Sequence, residues 1–266
     1  MGSVIDTVLF AAVNPGAGAV ATVAASNDSL AIKMGNSARN IYLEGLIRQG
    51  TTAGFIQLLS PALHDNVNGI KITPNESPSI FSLPAESDQL LLPGDVITPR
   101  LSGGAAETDI GLMQLYYEDL PGQSARLHTW PEISGMIKYI KPQLVACTSS
   151  ATIGAWVDTA VNTTEDVLHP NRDYAVLGYV TNVNLGFVGI KSGETANLRV
   201  GGPGTTSELV TSHYFVDMSV KNGRPWIPVF NSGARGSTFV SVCASTASVA
   251  ASVTLLLAEL NSNLTN

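Results

Sequence analysis

Arg39-Asn40-Ile41-Tyr42-Leu43-Glu44-Gly45 lines up with Arg172-Asp173-Tyr174-Ala175-Val176-Leu177-Gly178, and the rest of the chain organises around that pair. The same shift nearly holds for Gly54-Phe55-Ile56 against Gly186-Phe187-Val188. Gly69-Ile70-Lys71-Ile72 resembles Asn197-Leu198-Arg199-Val200, the run from Ile97 to Ala105 resembles that from Ile227 to Ala234, and Leu115 to Leu120 matches Leu255 to Leu260. Five matches that keep their order, at separations of about 128 to 140 residues, read as one module written twice with loops of different length. The 266 residues then divide into two units, each large enough to bury a core of its own.

Within each unit, short runs rich in Val, Ile, Leu, Thr and Tyr alternate with clusters of Gly, Pro, Asn and Ser, the pattern of an all-β chain. Candidate strands fall at residues 19–24, 30–33, 41–47, 54–59, 69–73, 79–83, 95–101 and 110–117 of the first unit. In the second they fall at 144–148, 155–159, 174–182, 186–190, 196–200, 213–220, 226–230, 238–243 and 249–257. Eight or nine strands per unit predict two tandem eight-stranded jelly-roll (Greek-key) barrels related by internal duplication. The turn signals agree: Leu92-Pro93-Gly94-Asp95 feeds one strand, and Lys221-Asn222-Gly223-Arg224-Pro225 feeds its counterpart. The division is an N-terminal arm at 1–18, a first jelly-roll at 19–127, and a linker with the second jelly-roll at 128–266. Residues 121–142 read as a crossing linker with one short helix at 131–139, where Pro131 suits the first turn. The arm, with Val4, Ile5, Val8, Leu9 and Phe10, either lies on a neighbouring subunit or closes its own barrel.

Composition narrows the function. Charged residues make up 13% of the chain and hydrophobic ones 44%, so much of the folded surface is expected to be covered by neighbours. A formal charge of −7 with singly scattered Lys and Arg argues against direct nucleic-acid binding, which needs clustered cations to displace counterions. No secretory leader is read at Met1 to Phe10, where Asp6 interrupts the apolar run, so the four Asn-X-Ser/Thr sequons carry no weight. The uncharged stretch 238–258 is long enough to span a bilayer, but its Ser, Thr and β-branched residues read better as two strands with a turn near residues 244–247. Cys147 and Cys243 sit among small and β-branched residues and read as buried apolar groups.

No catalytic, cofactor-binding or metal-binding residues emerge, and the expectation is that the chain is not an enzyme and takes no cofactor. His64, His128, His169 and His213 stand more than forty residues apart, without zinc-site spacing. Glu86 with Asp88, and Glu165 with Asp166, lack the oxygen ladder of a calcium loop and read as solvated loop charge, although calcium at subunit interfaces stays open. Residues 201–207 (GGPGTTS) lack the Gly-Lys-Ser/Thr of a phosphate loop and read as a flexible tip. Glu118 and Asp119 are neighbours on one strand, so their side chains point to opposite faces and cannot flank one bond. Trp130, Trp156 and Trp226 are too dispersed for a carbohydrate platform and read as core or interface packing, Trp226 as a strand-edge anchor between Pro225 and Pro228.

Two fused barrels of near-equal size, acidic, without a catalytic constellation and preceded by an arm, resemble the double jelly-roll major capsid proteins of icosahedral, membrane-containing viruses such as tectiviruses and corticoviruses. The resemblance covers nearly the whole chain and rests on architecture, since that family has no diagnostic short motif. It implies a structural virion protein, assembled in the host cytoplasm, whose homotrimers place six barrels in a pseudo-hexagonal tile of an icosahedral capsid. Its implied partners are itself, neighbouring trimers, penton or minor capsid proteins and, indirectly, an inner membrane. Shorter loops than those of larger members, and no long helix after each barrel, set the chain apart from them. The alternatives are a phage tail, spike or cement (decoration) protein, and a carbohydrate-binding β-sandwich.

Overall fold

The computed structural model describes residues 2–13, 21–22, 30–31, 40–61, 67, 69–72, 79–82, 89–91, 96–104, 107–122, 125–161 and 168–264. The chain is all-β in outline, built from antiparallel sheets with few helices. Strands are numbered along the chain. One sheet of the first half runs β1 (Gly2–Val13), β10 (Thr108–Leu120), β4 (Asn40–Gln49), β7 (Ser79–Ser82), with β8 (Gln89–Leu91) also on β4. The other runs β2 (Ala21–Thr22), β9 (Val96–Leu101), β5 (Ile56–Leu59), β6 (Ile70–Ile72), with β3 (Leu30–Ala31) also on β9. Val4, Leu43, Met113 and Leu115 from the former meet Ile56, Leu58, Ile97 and Leu101 from the latter in one core.

The second half is built the same way. One sheet runs β11 (Leu127–His128), β17 (Ile227–Asn231), β14 (Asp173–Thr181), β19 (Ala250–Leu260), β12 (Ile137–Thr148). The other runs β13 (Val157–Ala160), β18 (Thr238–Cys243), β15 (Phe187–Ser192), β16 (Arg199–Pro203). Val145, Tyr179, Val253, Leu255 and Leu257 pack there against Val188, Ile190, Val200, Val240 and Val242. Each such side chain, fully withdrawn from water, contributes roughly 1.5–3 kcal/mol.

Four of the five matched segments fall on strands at equal places in the two pairing orders: β4 and β14, β5 and β15, β6 and β16, β10 and β19. The fifth does not. Ile97 lies on β9, between β5 and β2, whereas Ile227 lies on β17, between β14 and β11; the place corresponding to β9 belongs to β18.

Two other expectations change, and one open choice is resolved. Of the two places expected for the N-terminal segment, residues 2–13 take the one within their own half: β1 pairs with β10 from Gly2 to Val13, and its alternating apolar side chains serve both faces, Val4 and Phe10 on one, Ile5 and Ala11 on the other. The linker is shorter than expected. After α1 (Trp130–Ser134), where Pro131 occupies the first turn and the Thr129 N–H donates to Glu132 Oε2 at 2.8 Å, β12 begins at Ile137 and runs through Pro142. An edge strand tolerates the missing N–H of proline, and among the described residues β12 pairs only with β19. Finally, the expected strand at 213–220 is a helix, α3 (Tyr214–Asn222), preceded by the short α2 (Glu208–Thr211). Phe215, Met218, Ser219 and Asn222 are buried while Asp217, Val220 and Lys221 face water, a period near 3.6 that outweighs the β-branched and aromatic composition. Asn222-Gly223 accordingly ends that helix before β17, with Gly223 in the left-handed conformation at φ 62°.

The uncharged stretch 238–258 is β18, a turn and most of β19, and among the described residues no helix is long and apolar enough to cross a membrane. The Leu92–Asp95 turn, most of the 14–39 region and the sequons near Asn27, Asn75 and Asn162 lie outside the described residues.

Candidate functional site at the junction of the halves

A buried polar construction joins the halves where the outer face of the β1-β10-β4 sheet meets the second half. β4 is an apolar strand that carries Glu44 at its centre, and that side chain is buried. Burying a carboxylate is costly unless donors surround it. The Arg224 Nη1 and the Trp226 Nε1 both donate to Glu44 in short hydrogen bonds, and Asn222 Nδ2 donates at 3.2 Å. All three donors come from the end of α3 and the approach to β17. The Arg224 guanidinium also lies over the rings of Tyr42 and Tyr116, 3.9 and 4.9 Å from their centroids. One cation thus joins a carboxylate and two aromatic faces of the first half.

Further along, Gln114 Nε2 of β10 donates to the Gly201 carbonyl and to the Tyr214 hydroxyl, both at 2.6 Å. Burial pushes the Tyr214 phenol up, so it stays protonated. The Thr7 hydroxyl donates to the Arg199 carbonyl at 2.9 Å. Between these polar contacts Ala11, Ile47, Ile110 and Leu112 close on Phe187 and Cys243 in a small apolar core of their own. The approach is close enough that a Cβ on Gly186 would sit 2.1 Å from Ile110 Cδ1. Burial pushes the Cys243 thiol up to about 12, which makes it a poor nucleophile.

Each half also carries buried ionic knots. In the first, Arg48 Nη2 meets Asp109 Oδ2 at 2.5 Å, and burial pushes Asp109 up to about 6 against the pull of Arg48. Asp6 is likewise pushed up to about 6 by burial. In the second half burial acts in the same direction, but donors prevail. Asp173 is held below the ordinary carboxylate range by Arg126, Asn231 and the Leu264 N–H, and Glu259 by Lys141, Tyr174 and His169. Asp158 is held low by Ser241, Lys191 and Arg199.

Of the residues singled out in the sequence, His169 belongs to one of these knots. His169 Nδ1 lies 2.7 Å from Glu259; His128 stands 3.7 Å from Glu132; His213 is exposed next to Ser212. His64, Glu86, Asp88, Glu165 and Asp166 lie outside the described residues. Among the described residues no cluster of three or more His, Cys, Asp or Glu is placed to hold a metal ion. Glu118 accepts from Asn40 Nδ2 at 2.6 Å. Gly201 and Gly202 are not a flexible tip but buried strand residues of β16, where a Cβ on Gly202 would strike the Tyr214 ring at 2.4 Å. Cys147 and Cys243 are both free and buried. Trp130 is tied through its backbone N–H to Ser219 Oγ at 2.9 Å, Trp156 lies against Phe187, and Trp226 is an anchor across the junction. Glu44, the centre of the site, was not singled out. Its signal was present: it stands where the matching segment has Leu177, an acid in place of an apolar residue.

Fold and junction together define a class, an all-β protein of paired antiparallel sheets whose halves are locked by buried polar contacts. No protein-family model matches the chain, and no curated protein matches it. Among solved structures it is similar to the STIV MCP at 10% identity and a TM-score of 0.22, over 98% of this chain and 97% of that one. It is also similar to the PBSX exported protein XepA at 10% identity and a TM-score of 0.25, over 96% of this chain and 86% of that one. Likenesses at this level identify no family.

Proposed function

We propose that the chain is a structural virion protein, a major capsid protein made of two jelly-rolls that arose by duplication. The observation that carries this reading is the pairing order. Numbering the eight sheet positions of each half along the chain, the first, eighth, third and sixth share one sheet and the second, seventh, fourth and fifth share the other. That order supports the reading as a jelly-roll, an architecture used by viral capsid and lectin domains. Two such units in one chain, with the outer sheet face of one sealed by the other, supply two sides of a six-sided tile, and three chains complete it. The low charge content supports broad contact with neighbours.

On this reading the protein works by association and not by catalysis. It belongs to the virion, assembles in the host cytoplasm, contacts neighbouring trimers together with penton or minor capsid proteins, overlies an inner membrane without inserting, and leaves the nucleic acid to others. Light scattering on the purified protein, followed by electron microscopy of concentrated samples, tests it. Stable homotrimers that grow into closed shells are expected. A monomer at every concentration, retained on a glycan resin, would overturn it in favour of a carbohydrate-binding β-sandwich.

A further inference from the structure

We propose that Arg48, Asp109 and Glu107 form a proton-operated clamp that closes one end of the first half, tight while Asp109 carries a proton and looser once the proton leaves. The inference does not depend on the assembling role above. Two connections cross from one sheet to the other at that end: residues 50–55 lead from β4 into β5, and Ser102, Gly103, Gly104 and Glu107 lie where β9 passes to β10. They meet through the Ser102 N–H, which donates to the Phe55 carbonyl at 3.0 Å, and through the Phe55 N–H, which donates to Ser102 Oγ at 3.1 Å. Glu107 reaches across as well. Its carboxylate accepts from the Thr51 N–H at 2.7 Å, the Thr51 hydroxyl and the Thr52 N–H at 3.1 Å, and from the Gly104 N–H of its own connection. Arg48 Nη2 donates to the Thr52 carbonyl at 2.8 Å and to Asp109 Oδ2 at 2.5 Å. The backbone of both connections closes directly on that pair: a Cβ on Gly50 would sit 2.1 Å from Asp109 Oδ1, and one on Gly103 2.2 Å from Asp109 Oδ2.

The charges do not balance when both acids are ionised. Arg48 and Asp109 are buried, and Glu107 stands close enough to share a hydrogen bond with Asp109. An ionised carboxylate only accepts, so that contact between two carboxyl groups requires one proton. Burial works against the charge of Glu107, but the N–H groups of Gly104, Thr51 and Thr52 prevail and hold it below the ordinary carboxylate range. The proton therefore falls to Asp109. Asp109 Oδ1 is buried without a donor among the described residues, so ionisation leaves a charged oxygen unsatisfied. With the proton in place one carboxylate answers one guanidinium; without it two carboxylates share that cation and repel. The other groups around the pair bring no charge: Ala12, the partner of Asp109 on β1, Gln49 beside Arg48 on β4, and Thr51, Thr52 and Ser102 of the connections. Burial raises Asp109 from an ordinary 3.8 to about 6, so the clamp is fully engaged below about pH 4 and is released as pH rises through 6.

The test is hydrogen exchange on the full chain at the Phe55 and Ser102 amides, the two that join the connections, corrected for the intrinsic effect of pH on exchange. In wild type their protection is expected to fall about tenfold from pH 5 to pH 7. Asp109→Asn keeps the shape, donates to Glu107 at every pH and has no proton to lose, so its protection is expected to stay level over the same range. A wild type whose protection does not change would overturn the clamp, and so would a folded Asp109→Asn that keeps the tenfold fall, since the titrating group would then lie elsewhere. Should Asp109→Asn fail to fold, Glu107→Gln decides in its place. Its amide removes the opposing charge and offers a donor to ionised Asp109, so a fall of about threefold or less supports the clamp and an undiminished tenfold fall overturns it.

Discussion

Strands β10 and β19 hold the same place in their sheets, each between an edge strand and the strand that bears the matched segment, yet they are buried differently. From Asp109 to Tyr117 every residue of β10 is buried. Along β19, by contrast, Ala251, Val253, Leu255 and Leu257 are buried while Ser252, Thr254 and Leu256 between them are only half covered. A strand with one covered face alternates, and one with both faces covered does not. The contrast is therefore a record of what lies outside each sheet: the second half against β10, and, among the described residues, no comparable cover on the outer face of β12.

The sharpest way to break the comparison is to remove the acid at the junction. Glu44→Ala strips the acceptor from Trp226 and leaves the Arg224 guanidinium uncompensated in a buried site, and a loss of about 3–5 kcal/mol in urea unfolding is expected. A loss below about 1 kcal/mol would mean that the junction contributes little. Next comes a matched pair on the two outer faces. Leu112→Ala opens a cavity in the small core against Phe187 and is expected to cost about 2–4 kcal/mol. Leu144→Ala, measured on dilute protein, is expected to stay within about 0.5 kcal/mol. Equal losses at the two positions would erase the distinction drawn here.

Smaller effects sharpen it. Gly223→Ala meets no neighbouring atom but must hold a left-handed backbone, so it isolates the cost of ending α3 where it covers the first half, about 1–2 kcal/mol in thermal unfolding. The smallest effect has the opposite sign. The folded-state pKa of Asp6 is raised from an ordinary 3.8 to about 6, so its contribution to stability is fully present below about pH 4 and is lost as pH rises through 6. Asp6→Asn should flatten that part of the stability profile and stabilise the protein at pH 7. Asp173 and Glu259 run the other way: their contribution is present above the ordinary carboxylate range and lost as acid protonates them. Urea midpoints measured from pH 3 to pH 8 separate the two groups.

The recurrence of strands was legible because the β4 and β14 segments keep the same spacing from Arg39 to Gly45 and from Arg172 to Gly178, with an aliphatic residue, Leu43 or Val176, at the same place between them. Which strand pairs with which was less so. The segments at Ile97 and Ile227 look alike because both are short, apolar and flanked by Pro and Gly, features that describe any exposed-ended strand and carry no information about its neighbours. The helix at Tyr214 was hidden by its composition, since Tyr, Phe and Val favour strands until a tertiary surface rewards the other period. The acid at the centre of the junction was readable only as a mismatch. Asn222, Arg224 and Trp226 give no local sign that they answer a residue about 180 positions earlier.

That separation along the chain also has a consequence in time. During synthesis Glu44, Ile47, Ile110 and Leu112 leave the ribosome well before Arg224 and Trp226 exist; at roughly 5–20 residues per second, Glu44 precedes them by about 10 to 40 seconds. For that interval the nascent first half displays an apolar wall with an unanswered carboxylate in it. The carboxylate that later fastens the halves keeps that wall hydrated, and so guards it against the wrong neighbours, until its own donors are made.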